Sequence, residues 1–238
     1  MRYFSLLAII TLLPLSLSAQ QDEPIELFNP SFEDFPRYGN PPRGWYDCGF
    51  PGETPPDVQP LPDGQFQVSK PAKDGNTYLG IVVRDNDTWE MVAQRLSRPL
   101  EKGKCYVFSL QLARSEVYRS QSRTTNELVN YTTPCKLRIW GGSNYCQKVE
   151  LLAESQTVIN TTWKEYNFRF EPKQTHQYIM LEAFYDTPVL FPYNGNILVD
   201  KASPILPVPC AGELPPEEPT EIAVEEEPAP PPPPPSPT

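Results

Sequence analysis

The sequence LFNPSFEDFPRYGNPPRGW, residues 27–45, is the stretch from which the fold of this chain is predicted. It opens with a short apolar segment that an Asn-Pro pair interrupts, and Phe32 is followed at once by the carboxylate of Glu33. A passage rich in proline and glycine then leads to a Gly-Trp pair that ends at Trp45. Because Asn-Pro favours a turn, the pattern predicts a strand, a turn beside a buried aromatic ring, and a long loop.

Short segments of alternating apolar and polar residues follow, and turn residues such as Asp-Gly-Asn at 74–76 separate them. Residues 115–133 are polar and are predicted to form either a short helix or a mobile excursion. The pattern indicates nine or ten strands without an internal repeat, enough for a β-sandwich of two packed sheets. The main predicted strands are 78–84, 89–96, 104–114, 135–140, 148–154, 163–170, 177–185 and 196–202.

Both ends of this pattern resemble the galactose-binding-like jelly roll, the fold of many secreted carbohydrate-binding modules. Those modules begin with a hydrophobic residue, Asn-Gly-x-Phe-Glu and Pro-x-Gly-Trp, and here Pro30 replaces the glycine. At the far end, the strand that starts at Trp163 matches Trp-x-x-Tyr-x-Phe-x-Phe, and a last apolar strand carries Asp200. The resemblance covers residues 25–205 and implies an all-β, jelly-roll β-sandwich. It extends to exported bacterial envelope proteins in which Pro-rich segments join the same jelly roll to anchoring domains.

The resemblance also implies a structural calcium ion between the first turn, a loop after the second strand, and the final aspartate. Its ligands would be Glu33, Asp200 and backbone oxygens near Ser31 and Asp74. Ca²⁺ takes about six to eight oxygen ligands, which suits this set. The alternative is that Glu33 and Asp200 are ordinary edge or capping residues. Zinc is not supported, because the chain has one histidine, His176, predicted to be exposed, and its cysteines lack ligand spacing.

The first 19 residues are predicted to be a secretory signal peptide. Arg2 precedes an apolar run, and Ser-Ala at 18–19 precedes a polar stretch. The alternative, an uncleaved membrane anchor, fits less well because Pro14 interrupts the run, which is shorter than the roughly 18 apolar residues of a span. The mature protein is therefore predicted to be exported to the periplasm, cell surface or medium, without a transmembrane span.

The predicted jelly-roll domain covers residues 20–205, and an acidic, Pro-rich tail covers residues 206–238. Thirteen of the 31 prolines lie in this tail. The part of it after Cys210 contains seven glutamates and no Lys or Arg. Such a segment is predicted to be disordered, or an extended spacer that offers a docking element to envelope proteins. The chain carries a formal charge of −10, of which −3 belongs to the part up to Cys210, so no basic surface excess indicates nucleic acid binding.

Five cysteines in an exported chain leave at least one without an intramolecular partner. Cys135 and Cys146 flank an apparent hairpin, but neither a two-residue nor a four-residue turn places them opposite each other. A disulfide requires Cα atoms within roughly 7 Å, so this pair is not predicted to bridge. The connectivity stays open, and Cys210 is the candidate for the unpaired cysteine.

Alternation within three strands predicts a ligand-binding face. Leu137 and Ile139 are assigned to the core, as are the apolar residues that alternate with Glu182, so their neighbours point outward. If the three strands are adjacent, one outer face carries Gln111, Arg138, Trp140 and Glu182. An aromatic ring beside hydrogen-bonding groups suits a sugar, which offers both a C–H face and hydroxyls. The predicted partner is therefore a polysaccharide or glycoconjugate.

A second candidate site is a loop cluster of aromatic residues at one end of the sandwich: Trp89, Tyr118, Tyr131 and Tyr193. For any one of these side chains, the alternative is a half-buried residue at the rim of the fold. Trp45 and Trp163 are assigned to the core.

The sequence contains no Gly-x-Ser-x-Gly, phosphate loop, dinucleotide glycine pattern or metalloprotease histidine pair. Three hypotheses follow. The favoured one is a non-catalytic glycan-binding module. The second is a structural or protein-binding component of the cell envelope with a docking tail. The third is a polysaccharide hydrolase or lyase, which would need two carboxylates about 5–9 Å apart, and no such pair is apparent from the sequence.

Overall fold

A computed structural model describes residues 23–188 and 190–210 of the chain. The predicted signal peptide and nearly all of the predicted tail lie outside these residues. Within them, no helix is long and apolar enough to cross a membrane. Apart from one short 3₁₀ turn, Gln65–Gln67, the regular structure of the described residues is β-strand.

All eight main predicted strands form, but the described residues contain thirteen strands rather than nine or ten, because five short strands were not predicted. Their bounds are β1 (Tyr46–Asp47), β2 (Asp57–Gln59), β3 (Tyr78–Val83), β4 (Met91–Leu100), β5 (Cys105–Ala113), β6 (Arg119–Gln121), β7 (Leu128–Asn130), β8 (Cys135–Gly142), β9 (Glu150–Glu154), β10 (Lys164–Phe170), β11 (His176–Tyr185), β12 (Gly195–Asp200) and β13 (Leu206–Val208).

Two antiparallel sheets form the sandwich, as predicted. We call the sheet with strand order β1-β4-β11-β8-β9 the front sheet. The back sheet has the order β10-β5-β12-β3-β2, and β13 also pairs with β5. Non-consecutive strands are neighbours in both sheets, so the chain crosses repeatedly between the two layers. The all-β jelly-roll β-sandwich predicted from the sequence is confirmed.

Residues 27–45 form the predicted turn beside a buried aromatic ring and the predicted loop, but the predicted strand at the start of the stretch does not form. Phe32 and Trp45 are buried and stack with ring centroids 5.0 Å apart. The turn is held by Asn29, whose Oδ1 accepts the Glu33 N–H and whose Nδ2 donates to the Glu33 carbonyl. Asn29 and Phe32, not Pro30, take a positive φ (53° and 54°). The proline is therefore tolerated because the left-handed conformation has moved to its neighbours, and asparagine accepts it more readily than most residues.

The two ends of the folded body meet. Ile25 and Ile205 exchange backbone hydrogen bonds of 2.9 and 3.0 Å, and Ala202 N–H donates to the Pro30 carbonyl at 2.8 Å. The folded body continues past Ile205, because β13 pairs with the first residues of β5.

The cysteines form two disulfides, Cys48–Cys146 and Cys105–Cys210. The prediction that Cys210 is unpaired is wrong, because β13 returns the chain to the start of β5. The free cysteine is Cys135, which is buried. The prediction that Cys135 does not bridge to Cys146 is confirmed.

A hairpin covers the outer face of the back sheet. The excursion at 115–133 contains β6 and β7 rather than a helix. It carries Tyr118 and Tyr131 onto a second buried cluster. Trp163 packs against this cluster and donates its indole N–H to the Pro71 carbonyl at 2.9 Å, so its assignment to the core between the sheets is wrong. The buried members of this cluster are Val68, Tyr78, Val82, Tyr118, Tyr131 and Leu198.

Candidate functional site

The outer face of the front sheet brings together three of the predicted ligand-binding residues. In the registers of β11 with its neighbours, Met180 lies opposite both Ala93 and Trp140, and Glu182 lies opposite both Met91 and Arg138. Leu137 and Ile139 belong to the core, as predicted, so Arg138 and Trp140 point outward. Strand alternation therefore assigned the faces of β8 and β11 correctly.

Glu182 is the centre of this face. Its side chain is fully buried, and both carboxylate oxygens are engaged. Oε2 accepts the indole N–H of Trp140 at 2.7 Å, while Oε1 accepts the indole N–H of Trp89 at 2.7 Å and the ammonium of Lys148 at 2.6 Å. Hydrogen bonds to a charged acceptor are stronger than neutral ones, so one carboxylate fixes the orientation of two indole rings.

Cationic groups lie over the rings of this face. The Lys148 Nζ is 5.0 Å from the centre of a Trp140 ring and 5.4 Å from that of Trp89. The Arg138 guanidinium lies 3.5 Å from the centre of the Phe184 ring and pairs with Glu154 at 2.6 Å. These contacts restrict both the charged groups and the rings, which remain half-buried at the surface.

A trio of tyrosines extends the face beyond the two tryptophans. Tyr145 lies between Tyr46 and Tyr178, with ring centroids 4.4 and 4.6 Å away. Tyr46 is 52% exposed and Tyr145 is 38% exposed. The Cys48–Cys146 disulfide links the segment that carries Tyr46 to the turn that carries Tyr145. We call the two tryptophans and these three tyrosines, with Arg138, Lys148 and Glu182, the front platform.

The tyrosine trio was not predicted from the sequence. Tyr46 was predictable, since Trp45 was assigned to the core and alternation then turns the next residue outward. Tyr145 was not, because it lies in the turn between β8 and β9 and reaches Tyr46 only through a disulfide between cysteines far apart in sequence.

Gln111 does not join the front platform, and its predicted place there is wrong. It lies on β5 of the back sheet, opposite Glu165 of β10 and Asp200 of β12, and is mostly buried. The prediction required β5, β8 and β11 to be neighbours, and β5 belongs to the other layer.

The predicted loop cluster of aromatic residues does not form. Trp89 instead belongs to the front platform. The hydroxyl of Tyr118 donates to Asp57 at 2.5 Å under the hairpin of the back sheet, and Tyr131 is buried beside it. Tyr193 donates its hydroxyl to the Pro134 carbonyl at 2.9 Å and packs against Tyr185. The four rings thus divide among three surroundings, because the order of strands places their loops on different faces.

The predicted calcium ligands gather around one loop, residues 73–77. Asp200 Oδ2 accepts the N–H groups of Lys73 and Asp74 at 2.7 and 3.0 Å. Glu33 Oε1 accepts those of Asn76 and Thr77 at 2.8 and 2.9 Å. The Ser31 hydroxyl donates to Asp74 Oδ2 at 2.6 Å.

Glu33 and Asp200 each accept two backbone N–H groups of this loop, as the capping alternative predicts. Burial raises the pKa of Asp200 to about 6, and the nearby Asp74 carboxylate acts in the same direction. A cation placed here would relieve both effects, because an adjacent positive charge favours the ionised carboxylate. Carboxylate and backbone oxygens are the ligands that Ca²⁺ prefers.

The prediction that His176 is exposed is wrong. It begins β11 opposite Leu100, is fully buried, and its Nε2 lies 2.9 Å from Glu150 Oε2. Among the described residues, one group of three metal-ligating side chains has its ligand atoms within 4.8 Å of one another: Cys105, Glu171 and Cys210. The two cysteines of that group are joined as a disulfide, so it offers no thiolate to a metal.

No family model matches the chain, and no curated protein matches its sequence. Several solved structures are similar in fold. An arabinose-bound GH51 α-L-arabinofuranosidase superposes with a TM-score of 0.51 at 12% identity, over 77% of this chain and 26% of that chain. At this identity the likeness shows the fold alone, and the chain spans about a quarter of that enzyme.

Two smaller domains are also similar, over nearly their whole lengths. The CBM22-1 xylan-binding domain of Paenibacillus barcinonensis Xyn10C matches with a TM-score of 0.42 at 16% identity, covering 80% of this chain and 97% of that domain. The K3 cleaved adhesin domain of Lys-gingipain from Porphyromonas gingivalis W83 matches with a TM-score of 0.46 at 13% identity, covering 75% and 96%.

Proposed function

We propose that this chain is a glycan-binding module that holds a polysaccharide or glycoconjugate on the front platform. The observation that supports the proposal is the buried Glu182 carboxylate, which fixes the indoles of Trp89 and Trp140 on an outer sheet face. Rings held in place before binding lose little conformational freedom when a ligand arrives.

The composition of the platform suits sugars. Indole and phenol rings stack against the C–H face of a pyranose, and the tyrosine hydroxyls and nearby charged groups hydrogen-bond its hydroxyls. Tyr46 and Tyr145 add exposed rings on the same sheet face as Trp140, so several sugar units of one chain would be contacted at once.

The proposal excludes catalysis at this platform. The two carboxylates that face it, Glu182 and Glu154, are each paired with cations, Lys148 for the first and Arg138 and Lys136 for the second. A glycosidase needs a carboxylic acid that reaches the glycosidic oxygen of its substrate, and both of these carboxylates are instead held by cations of the platform itself.

The test compares two tryptophans on opposite outer faces. Wild-type protein, Trp140→Ala and Trp163→Ala are applied to an array that includes xylan, arabinan, glucan and host-type glycans. Trp140→Ala should abolish the signal, since the ring contributes both the stacking surface and part of the Glu182 network. Trp163→Ala, which removes a half-buried indole from the back sheet, should leave the signal unchanged.

Trp140→Phe and Glu182→Gln distinguish contact between the Trp140 ring and the ligand from positioning of that ring by Glu182. The phenyl ring keeps a stacking surface but cannot donate to Glu182, so we expect weaker binding rather than none. A silent array with the wild-type protein would overturn glycan binding and leave the envelope-scaffold hypothesis. Release of reducing ends or unsaturated sugars from a bound polysaccharide would instead support a hydrolase or lyase.

We also propose that the protein is exported. The two disulfides support this, because such bonds persist in oxidising compartments. The predicted signal peptide, residues 1–19, lies outside the described residues. Most of the tail, to which a docking role is assigned, also lies outside them. Amino-terminal sequencing of the secreted protein would test the export signal, and a mature chain that begins at Met1 would contradict it.

A structural calcium ion remains part of the proposal. Glu33, Asp200 and backbone oxygens near Ser31 and Asp74 would hold it, and its positive charge would stabilise the buried carboxylate of Asp200. We expect the unfolding midpoint of the wild-type protein to fall on chelation and to recover with Ca²⁺. An unchanged midpoint would remove the ion from this account.

A further inference from the structure

A small pocket lies on the layer opposite the front platform. It has a volume of about 30 Å³, enough for one or two water-sized groups. Because Val82 and Tyr118 belong to the second cluster, the pocket lies on the back-sheet side of the sandwich. We call it the back pocket, and its charged and aromatic lining includes Tyr38, Asp57, Phe66, Arg84, Glu90 and Tyr118.

Buried charged groups line the back pocket. Arg84 is 2% exposed, pairs with Glu90, and donates to the Thr54 carbonyl at 2.9 Å. Asp57 accepts the Tyr118 hydroxyl through Oδ2 and the Gly39 N–H at 2.8 Å through Oδ1. The Nη1 atom of Arg84 has no hydrogen-bond partner in the described part of the chain. A buried guanidinium with an unused donor is costly unless something completes it.

Aromatic rings form the rim of the back pocket. Tyr38 is 58% exposed, and its ring meets the edge of Phe66 at 6.5 Å. Phe66 stacks on Tyr118, with centroids 5.3 Å apart and planes inclined by 16°. Phe66 has a φ of 62°, a left-handed conformation that is rare for a bulky residue. Strained backbone is concentrated at functional sites, and here the strain accompanies a ring placed at a pocket rim.

We propose that the back pocket is a second carbohydrate site that receives a single terminal sugar residue. The sugar ring lies against Tyr38 and Phe66, and one hydroxyl enters the pocket between Asp57 and Arg84. This proposal rests on the proposed glycan-binding function and adds a site that recognises a chain end, whereas the front platform contacts the length of a chain.

The volume and chemistry of the pocket support this assignment. About 30 Å³ excludes a whole pyranose but admits a hydroxyl or hydroxymethyl group. A neutral hydroxyl both donates and accepts, so it satisfies a carboxylate and a guanidinium together. The Arg84 guanidinium already supplies a positive charge beside Asp57 and Glu90, which disfavours a cation as the occupant of the pocket.

The experiment uses methyl glycosides of common hexoses and pentoses as probes of a chain end, with saturation-transfer NMR and titration calorimetry on the wild-type protein. Tyr38→Ala should weaken binding of the recognised glycoside about tenfold, which corresponds to roughly 1.4 kcal/mol. Phe35→Ala is the matched control, because Phe35 is a 75% exposed aromatic residue of the same loop that does not line the pocket.

Asp57→Asn and Trp140→Ala complete the set. Asp57→Asn should also weaken the methyl glycoside, while Trp140→Ala should abolish polysaccharide binding and leave the glycoside unaffected. Suppose that Trp140→Ala removes polysaccharide binding, but that the wild-type protein binds no glycoside or that Tyr38→Ala binds the glycoside as tightly as the wild-type protein does. That result overturns the back pocket alone. Failure of the wild-type protein to bind any glycan overturns the proposed function itself.

Discussion

The two outer faces of the sandwich differ in what covers them, although each is one side of an antiparallel sheet. On the back sheet, the hairpin of β6 and β7 and the 66–72 segment cover the outward residues and create a second apolar cluster around Leu198. On the front sheet, the outward residues stay half-exposed around Glu182, with a small apolar cluster of Met91, Ala93 and Met180 beneath them. A sheet face thus becomes a core or a surface according to what packs over it.

The contrast also separates two ways of satisfying polar groups. The front platform places one buried carboxylate at its centre and engages it with three donors. The back pocket buries Asp57, Arg84 and Glu90 together, and the Nη1 atom of Arg84 finds no hydrogen-bond partner within residues 23–188 and 190–210. The first arrangement holds rings for contact with a long ligand, and the second leaves room for one small group.

Loss of either disulfide has the largest expected effect on stability. Cys48–Cys146 spans 98 residues and Cys105–Cys210 spans 105, so chain entropy predicts nearly equal stabilisation, about 4.7 kcal/mol each. The double variants Cys48→Ser/Cys146→Ser and Cys105→Ser/Cys210→Ser should therefore lower the free energy of unfolding in urea to similar extents.

Ligand binding should distinguish the same two variants. Only the first disulfide links Tyr46 to the turn that carries Tyr145, so only its loss should weaken polysaccharide binding. Equal polysaccharide affinity in both double variants would show that the tyrosine trio takes no part in the front platform.

Two buried apolar residues provide the next comparison, one beneath each face. Leu198→Ala opens a cavity in the second cluster, and Met180→Ala opens one beneath Trp140. Each should cost about 2–5 kcal/mol of stability, measured by urea unfolding. We expect Met180→Ala alone to weaken polysaccharide binding, because Trp140 loses the packing below its ring. A larger binding loss in Leu198→Ala would place the ligand on the back sheet.

The smallest expected effect concerns pH and the carboxylate of Asp200. Its pKa is raised from 3.8 to about 6 in the folded chain, so between these values the folded state holds a proton that the unfolded state has released. The contribution of Asp200 to stability therefore falls as the pH rises from about 4 to 6 and levels off above that window.

Asp200→Asn should flatten this part of the stability profile in chelator, measured by thermal melts between pH 4 and 7. Added Ca²⁺ should raise the midpoint of the wild-type protein most at the upper end of the range and have less effect on the variant. An identical profile in wild type and Asp200→Asn would contradict the burial of a titrating carboxylate at this position.

Part of the candidate site was predictable because alternation is a local property. The period of two assigned Leu137 and Ile139 to the core and hence Arg138, Trp140 and Glu182 to the outer face. The same rule placed Gln111 correctly on its own strand but could not identify the neighbours of that strand. Trp89 and Tyr118 were wrongly predicted to share one loop cluster, because the sequence of a loop does not reveal which sheet face the loop will cover.

The sequence by itself determined an all-β sandwich, a buried Trp45 and a Phe-Glu turn. These features depend on local chemistry: apolar alternation and turn residues. Tertiary structure alone decided the strand order, both disulfide partners, the burial of His176 and Tyr118, and the convergence of two indoles and a lysine on Glu182. Each of those depends on residues far apart in the chain, whose proximity is set by the packing of the whole sandwich.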